Sequence, residues 1–362
     1  MRLEDLRSKI DETDTRIVEL IAERLKIAEA IGEIKRREGA QIEDVVREKI
    51  VLEQVKSVAR REGVSQEDME GIYRQIVTVC RERQQVKVAF QGEAGAYSEE
   101  AALSFFGPTT QVEPYEGFDA VFKAVESGEA RFGIVPIENS LEGSVSQVYD
   151  LLLDSELKVC GEIELRVVHC LIVNPETRLD LIKKAYSHPQ ALAQCRSFLR
   201  QLGCELIPTY DTAGSVRTVK EKGIVDGAAV ASARAAQIYG MKVIARGIED
   251  NPSNFTRFFV LSEQDSPASG SDKTSVVFSV KHEPGALHRA LEELAVRNIS
   301  LSKLESRPTR RKPWEYNFYL DCDGHREDEA VREALAGLER TSLFVKLLGS
   351  YPRSVPRIRS ER

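Results

Sequence analysis

Residues 132–145 read FGIVPIENSLEGSV: a short apolar run, an abrupt polar triplet of Glu138, Asn139 and Ser140, then a stretch that leads into a helix. An apolar run of this length bounded by turn residues reads as a buried strand. Polar residues at the C-terminal end of such a strand lie where α/β sheets place ligands. On either side, VKVAF (86–90), VVHCLIV (167–173), KKAYS (183–187), AAVAS (228–232) and RFFVL (257–261) alternate with helical stretches. Residues 86–263 therefore read as an α/β domain, and the alternation predicts parallel strands flanked by helices.

The flanking segments have other periods. In residues 1–85, Leu3, Leu6, Ile10, Thr13, Ile17, Leu20, Arg24, Ile27, Ile31 and Ile34 fall at alternating steps of three and four, the seam of one long helix. Gly39 interrupts it, a second helix is expected from about residue 43 to 61 with Gly63 after it, and Ser65 with Asp68 caps a third. Three helices with one very long member do not bury its stripe alone, so a helical dimer is expected. After QDSPASGSDK (264–273), a linker by composition, the order β-α-β-β-α-β over residues 273–352 predicts a ferredoxin-like sandwich. The fold class is thus multidomain: all-α, then α/β, then α+β.

The totals agree with a soluble, cytoplasmic protein. At 362 residues the chain exceeds one ordinary core, and no apolar run approaches the roughly 20 residues of a membrane span. The start, MRLEDLRSKIDE, is charged where a signal peptide is apolar. Six scattered cysteines without a CxxC pair argue for reduced thiols and no metal site. A net charge of −7 argues against nucleic acid as a partner, and the basic tail PRSVPRIRSER (352–362) reads as a poorly ordered end.

Arg24 stands in the seam where the pattern asks for an aliphatic residue. It snorkels, pairs with a Glu, or meets an anion inside the bundle. Lys35 lies about 16 Å further along the helix, near enough for the two to grip a small dianion from both ends, whereas Arg7 is about 26 Å from Arg24 and joins such a site only from another protomer. Through LRSKID, LIAERLKIAEAIGEIK, DVVREK and RERQQ, residues 1–85 resemble the all-helical chorismate mutase domain, whose members intertwine as dimers. The resemblance implies Arg24, Lys35, Glu48 and Gln84 as catalytic, with Arg7 from the partner, Asp44, Arg47 and Cys80 binding substrate. Rearrangement of chorismate to prephenate needs only a folded conformer and stabilised charge on the ether oxygen, which suits these donors.

Three loops of the α/β domain share one layout. QGEAGAYSEEAA (91–102) follows a strand and opens a helix; it lacks GxGxxG spacing, and Ser98 reads as an N-cap or as a carboxylate contact. SHPQALAQC (187–195) places Ser187, His188 and Gln190 between strand and helix, His188 being either a general base or a structural helix-entry residue. With GAYS, VPIENSLEGSV, SHPQALAQC, DTAGSV and NFTRF in order, residues 86–263 resemble prephenate dehydratase, a two-lobed periplasmic-binding-protein-like fold with its active site in the interlobe cleft. The resemblance implies Thr256 as catalytic and Ser98, Glu138, Asn139, Ser140 and Phe258 near the substrate, with no cofactor. Alternation along NFTRFFVL puts Phe258 on the face of Thr256 and turns Arg257 away, towards the surface or a supporting position.

PGALHRAL (284–291) and ESRPTRRKPWEYNFYLD (305–321) resemble the ACT regulatory domain. The resemblance implies an L-phenylalanine site between subunits from Gly285, Ala286, Leu287, Glu305, Ser306, Arg307 and Pro308. Together the resemblances imply a bifunctional chorismate mutase and prephenate dehydratase, with chorismate and prephenate as substrates, no membrane or nucleic-acid partner, and a homodimer whose pairing into tetramers stays open. An arogenate dehydratase or a non-catalytic aromatic amino-acid sensor are the alternatives.

Overall fold

A computed structural model describes residues 3–38, 44–84, 86–309 and 315–354. The chain divides into two compact units, residues 1–87 with 103–111, and residues 88–102 with 112–362. The first unit is built on α1 (Leu3–Glu38), α2 (Val45–Arg61) and α3 (Gln66–Gln84), with α1 and α2 both packed on α3. Asp44 caps α2 by accepting from the Arg47 amide, and the Asp68 amide donates to Ser65 Oγ at 3.2 Å, so both starts follow from local sequence. The break at Gly39 falls outside the described residues, as does the tail from residue 355.

The second unit begins with β1 (Lys87–Gln91), α4 (Tyr97–Phe106), β2 (Gln111–Tyr115), α5 (Phe118–Glu126), β3 (Phe132–Asn139), β4 (Gly143–Ser144), α6 (Ser146–Asp154) and β5 (Lys158–Arg166). The chain then crosses into a second lobe: β6 (Cys170–Val173), β7 (Lys184–Ser187), α7 (Pro189–Gln194), α8 (Arg196–Leu202), β8 (Glu205–Pro208), α9 (Thr212–Glu221), β9 (Gly227–Ala231), α10 (Ala233–Tyr239) and β10 (Lys242–Arg246). It returns as β11 (Phe255–Ser262), which enters the first sheet between β3 and β5 in the order β2-β1-β3-β11-β5.

That return corrects the expectation of parallel sheets. β1 and β3 are parallel, but β11 runs antiparallel to both of its neighbours, because a strand coming back from the other lobe enters from the opposite end. The second sheet, β10-β6-β9-β7-β8, is also mixed: β9 is parallel to β7, and β6 is antiparallel to β9 and β10.

The last segment keeps the expected order: β12 (Asp272–Ser279), α11 (Ala286–Ala295), β13 (Leu301–Pro308), β14 (Tyr316–Asp323), α12 (Glu329–Thr341) and β15 (Phe344–Pro352), in a sheet ordered β13-β14-β12-β15. The end of the expected linker is not open chain. Asp272 and Lys273 are buried in β12, and the Asp272 carboxylate accepts from the Ser269 and Gly270 amides, forming a tight turn. This sheet also shares a core with the first lobe, where Val277, Tyr319, Leu348 and Tyr351 pack with Phe259 and Leu261. The approach is close at Gly349, where a Cβ would stand 2.1 Å from the Val159 carbonyl oxygen.

Candidate functional site

A cavity of about 130 Å³ lies between the two lobes, where β3 ends and β11 begins, beside α7 and the crossing from β5 to β6. Thr256 and Asn139 form its floor from the first lobe; they are paired across β11 and β3. From the second lobe and the crossing come His169, His188, Gln190, Gln194 and Thr212, while Tyr97 reaches in from the start of α4.

Asn139 is the hub. Its Oδ1 accepts from the backbone amides of Leu141 (3.0 Å) and Glu142 (3.1 Å), the turn that the ENSLEG sequence makes after β3. Its Nδ2 lies 2.7 Å from Asn254 Oδ1, 3.1 Å from the Phe255 carbonyl and 3.0 Å from Thr256 Oγ1. Asn254 Nδ2 donates to Gln194 Oε1 at 2.9 Å, which also faces His169 Nε2 at 3.0 Å, and His169 Nδ1 faces the Tyr97 hydroxyl at 3.0 Å. Burial holds the His169 pKa below its ordinary value, with the Gln194 contact and Glu249 acting the other way. Burial likewise drives the Tyr97 phenol well above its usual range.

The expected residues separate into two groups here. Thr256 and Asn139 line the cavity; Ser98, Glu138, Ser140 and Phe258 do not. Ser98 is the second residue of α4, and the helix start is held by Glu99, which accepts from the Gly95 amide and pairs with Arg234. Ser140 is a loop brace: its Oγ donates to the Ser253 carbonyl and accepts from the Phe255 amide. Glu138 pairs with Lys303 Nζ at 2.8 Å. Phe258 is 1% exposed, in the core: β11 keeps its two-residue alternation against β5 through this stretch, but Phe258 lies one step further into the sheet than Thr256, past the edge of the cavity.

Arg257 takes the second of its two expected places, a supporting position behind β11. It does turn away from Thr256, yet it is not at the surface: Nε donates to Glu162 at 2.7 Å, Nη1 to Asp321 at 2.6 Å and Nη2 to the Tyr351 hydroxyl at 3.1 Å. Lys273 adds a second cation on Glu162 at 2.9 Å. Two carboxylates and two cations thus close a charge-balanced cluster where β11 meets the C-terminal sheet. Burial works against the guanidinium charge, but Asp321, Tyr351 and Glu162 outweigh it.

In that sheet, Gly285 caps α11 in the left-handed conformation (φ 79°), which explains a glycine there. Ala286 is buried and Leu287 packs on the sheet's own core. The ESRP stretch lies on β13, the edge strand, with Ser306 and Pro308 exposed. Glu305 is engaged by Ser144 and Lys303, and Arg307 by Asp150 at 3.1 Å, so part of the stretch holds the first lobe of its own chain.

In the helical unit, Arg24 Nη1 donates to the buried Cys80 Sγ, bringing two expected residues together between α1 and α3. Glu48 lies 3.9 Å from Arg81, and Asp44 serves α2 as its cap. Lys35 is half-buried, and Arg7 and Arg47 are exposed. Gln84 ends α3; its side chain lies outside the described residues. No His, Cys, Asp and Glu cluster suited to a metal ion and no helix long and apolar enough to cross a membrane occur among the described residues.

Three family models match in order: chorismate mutase type II over residues 6–85, prephenate dehydratase over 88–266 and the ACT domain over 274–340. The bifunctional chorismate mutase/prephenate dehydratase of Stutzerimonas stutzeri is 37% identical, with 98% of each chain covered. That of Aquifex aeolicus (strain VF5) is 39% identical, again with 98% of each covered. Among solved structures, the prephenate dehydratase of Arthrobacter aurescens in complex with L-Phe is 34% identical, with a TM-score of 0.69 over 74% of this chain and 90% of that one. The order of the three matched segments, the end-to-end likeness to these relatives and the cleft that brings Thr256 to Asn139 agree, and the chain belongs to the family of bifunctional chorismate mutase/prephenate dehydratases.

Proposed function

We propose that the chain carries both reactions of its family, with residues 1–85 isomerising chorismate to prephenate, residues 86–263 converting prephenate to phenylpyruvate, and residues 273–352 sensing L-phenylalanine. The observation that carries the second step is the Thr256 hydroxyl in the cleft, accepting from Asn139 Nδ2 at 3.0 Å. The bond from the ring to its carboxylate breaks, CO2 leaves, and that electron pair enters the ring as hydroxide departs from the opposite carbon. Thr256 donates a hydrogen bond to the departing oxygen, and aromatisation drives the step. The reaction is redox-neutral and asks for no electron carrier.

For the first step, Arg24 and Arg47 with the partner subunit's Arg7 would clamp the two carboxylates, while Lys35 and Gln84 donate to the ether oxygen and Glu48 and Asp44 meet the hydroxyl side. An intertwined homodimer supplies that Arg7. The long stripe on α1 supports it: Leu3, Leu6, Ile10, Ile17, Leu20, Ile27, Ile31 and Ile34 expose between 41% and 63% of their surface within one chain. An apolar stripe of that extent along a 36-residue helix asks for a cover. The exposed edge strand β13, carrying Ser306 and Pro308, favours a phenylalanine site completed by a second C-terminal domain.

Purified protein given chorismate should consume it and release phenylpyruvate, and added phenylalanine should suppress the second signal. Arg24→Ala should lower chorismate turnover by about 10²-fold or more with helical content unchanged. Wild-type turnover in that variant removes the mutase assignment. Phenylalanine that neither inhibits nor binds in calorimetry removes the sensor, and faster turnover of arogenate than of prephenate replaces the substrate.

A further inference from the structure

We infer that Asn139 aims the proton of Thr256: the backbone fixes the direction of every hydrogen bond around it, so that Thr256 accepts from the protein and keeps its own proton for the substrate. This rests on the reading of the cleft as the dehydratase site. The argument starts from two backbone amides, which only donate. Leu141 and Glu142 both donate to one Asn139 side-chain atom, which is therefore the carbonyl oxygen. The other atom is then the amide nitrogen, and its two protons are shared among three neighbours, none of which can donate to it. The Phe255 carbonyl, at 3.1 Å, can do nothing else and confirms the orientation. Thr256 Oγ1, at 3.0 Å, receives a proton from Asn139, and its own hydrogen is left to point into the cleft.

The same constraint propagates outward. Asn254 Oδ1 accepts from Asn139, so Asn254 Nδ2 donates to Gln194 and the Gln194 atom is its oxygen. His169 Nε2 must then carry a proton to meet that oxygen. In the neutral ring His169 Nδ1 is a lone pair that shares the Tyr97 proton with the Val168 carbonyl, 2.9 Å from the same hydroxyl. One turn after β3 thereby fixes the orientation of two further amides and one imidazole tautomer. Asn139 and Asn254 act as positioning residues, the first for Thr256 and the second for the cleft wall across the crossing between lobes.

Asn139→Asp separates this role from mere packing. The variant is isosteric and keeps the oxygen that serves Leu141 and Glu142, but its second oxygen can only accept while ionised. Thr256 then donates to the protein instead of to the substrate. Asn139→Ala removes the aim without reversing it. Dehydratase kcat at neutral pH should therefore fall in the order wild type, Asn139→Ala, Asn139→Asp, with KM changed less than kcat; a packing role gives the reverse order for the two variants. As pH falls, protonation of the introduced carboxyl restores a donor, so kcat of Asn139→Asp divided by that of wild type should rise about tenfold per pH unit until the carboxyl is titrated. The titratable groups around the site are Tyr97, His169 and His188 at the cleft, Glu138 with Lys303 beside it, Glu142 in the turn and Glu249 behind His169. They are common to both proteins and largely cancel in the ratio. Spontaneous aromatisation of substrate in acid is subtracted with Thr256→Val at the same pH.

Asn254→Asp should show no such recovery, since Gln194 and His169 can reverse their bonds together and leave Thr256 aimed as before. Chorismate turnover in each sample reports folding of the chain. A flat ratio across pH, or Asn139→Asp no slower than Asn139→Ala, overturns the inference; if the Asp variant does not fold, Asn139→Ala with wild-type kcat overturns it. Absence of phenylpyruvate from the wild type itself would instead remove the underlying assignment of the cleft.

Discussion

Arg257→Met is expected to cost the second unit about 3–5 kcal/mol, the range for removing one member of a buried ion pair. The side chain is 11% exposed and its partners less so, at 0% for Glu162 and 6% for Asp321. With the guanidinium gone, one cation, Lys273, remains among the named partners for two buried carboxylates. The loss therefore reflects stranded charge more than a lost contact. Arg257→Lys should recover little of it, because the three guanidinium nitrogens serve three different groups and a single ammonium does not span them. Arg257→Met with Asp321→Asn should be milder than the single change, since Lys273 and Glu162 then remain as a matched pair. Urea unfolding followed by far-UV circular dichroism, with dehydratase activity alongside, is the measure. A single variant within about 1 kcal/mol of wild type would show that water reaches the cluster and screens it.

The cluster also marks where sequence reading stops. Alternation along NFTRFFVL correctly turned Arg257 away from Thr256, because strand periodicity is local. What lies on that far face is not local: Asp321 and Tyr351 arrive from strands 64 and 94 positions further on. The Ser65 cap and the β-α-β-β-α-β order are legible because they are local, which the partners of Arg257 are not. Phe258 shows the limit from the other side: β11 keeps its alternation here, but a two-residue period does not tell where along that face the cleft ends and the buried core begins.

The cleft residues divide in the same way. Thr256 and Asn139 stand in motifs at strand ends, where a polar residue beside an apolar run is legible in sequence. Tyr97 and Gln194 sit inside GAYS and SHPQALAQC with no local pattern that singles them out, and His169 falls within VVHCLIV, an apolar run that reads as a strand. A histidine in such a run is itself a signal, because a buried imidazole requires partners. The structure supplies them as Tyr97 and Gln194, from α4 and α7. Parallel sheets were expected because alternation of strand and helix does not reveal that β11 comes home from a second lobe.

Thr256→Val is expected to lower dehydratase kcat on the order of 10²- to 10⁴-fold, the range for a positioned proton donor, while stability and chorismate turnover stay near wild type. The substitution keeps the shape of the side chain and removes its oxygen. Ordinarily that would strand a buried donor at Asn139, but Asn139 Nδ2 has two protons and three acceptors in reach. With Thr256 Oγ1 gone, the Asn254 oxygen and the Phe255 carbonyl still take both, so the cost in folding is small. The effect then falls on the transition state, where hydroxide leaves without a donor, and KM should move far less than kcat. Thr256→Ser restores the oxygen against the same Asn139 donor and should recover activity to within about tenfold, the remainder being the freer rotor of an unbranched hydroxyl. Equal loss in Ser and Val would mean that shape, not the hydroxyl, carries the step; loss of chorismate turnover in both would mean that the chain had failed to fold.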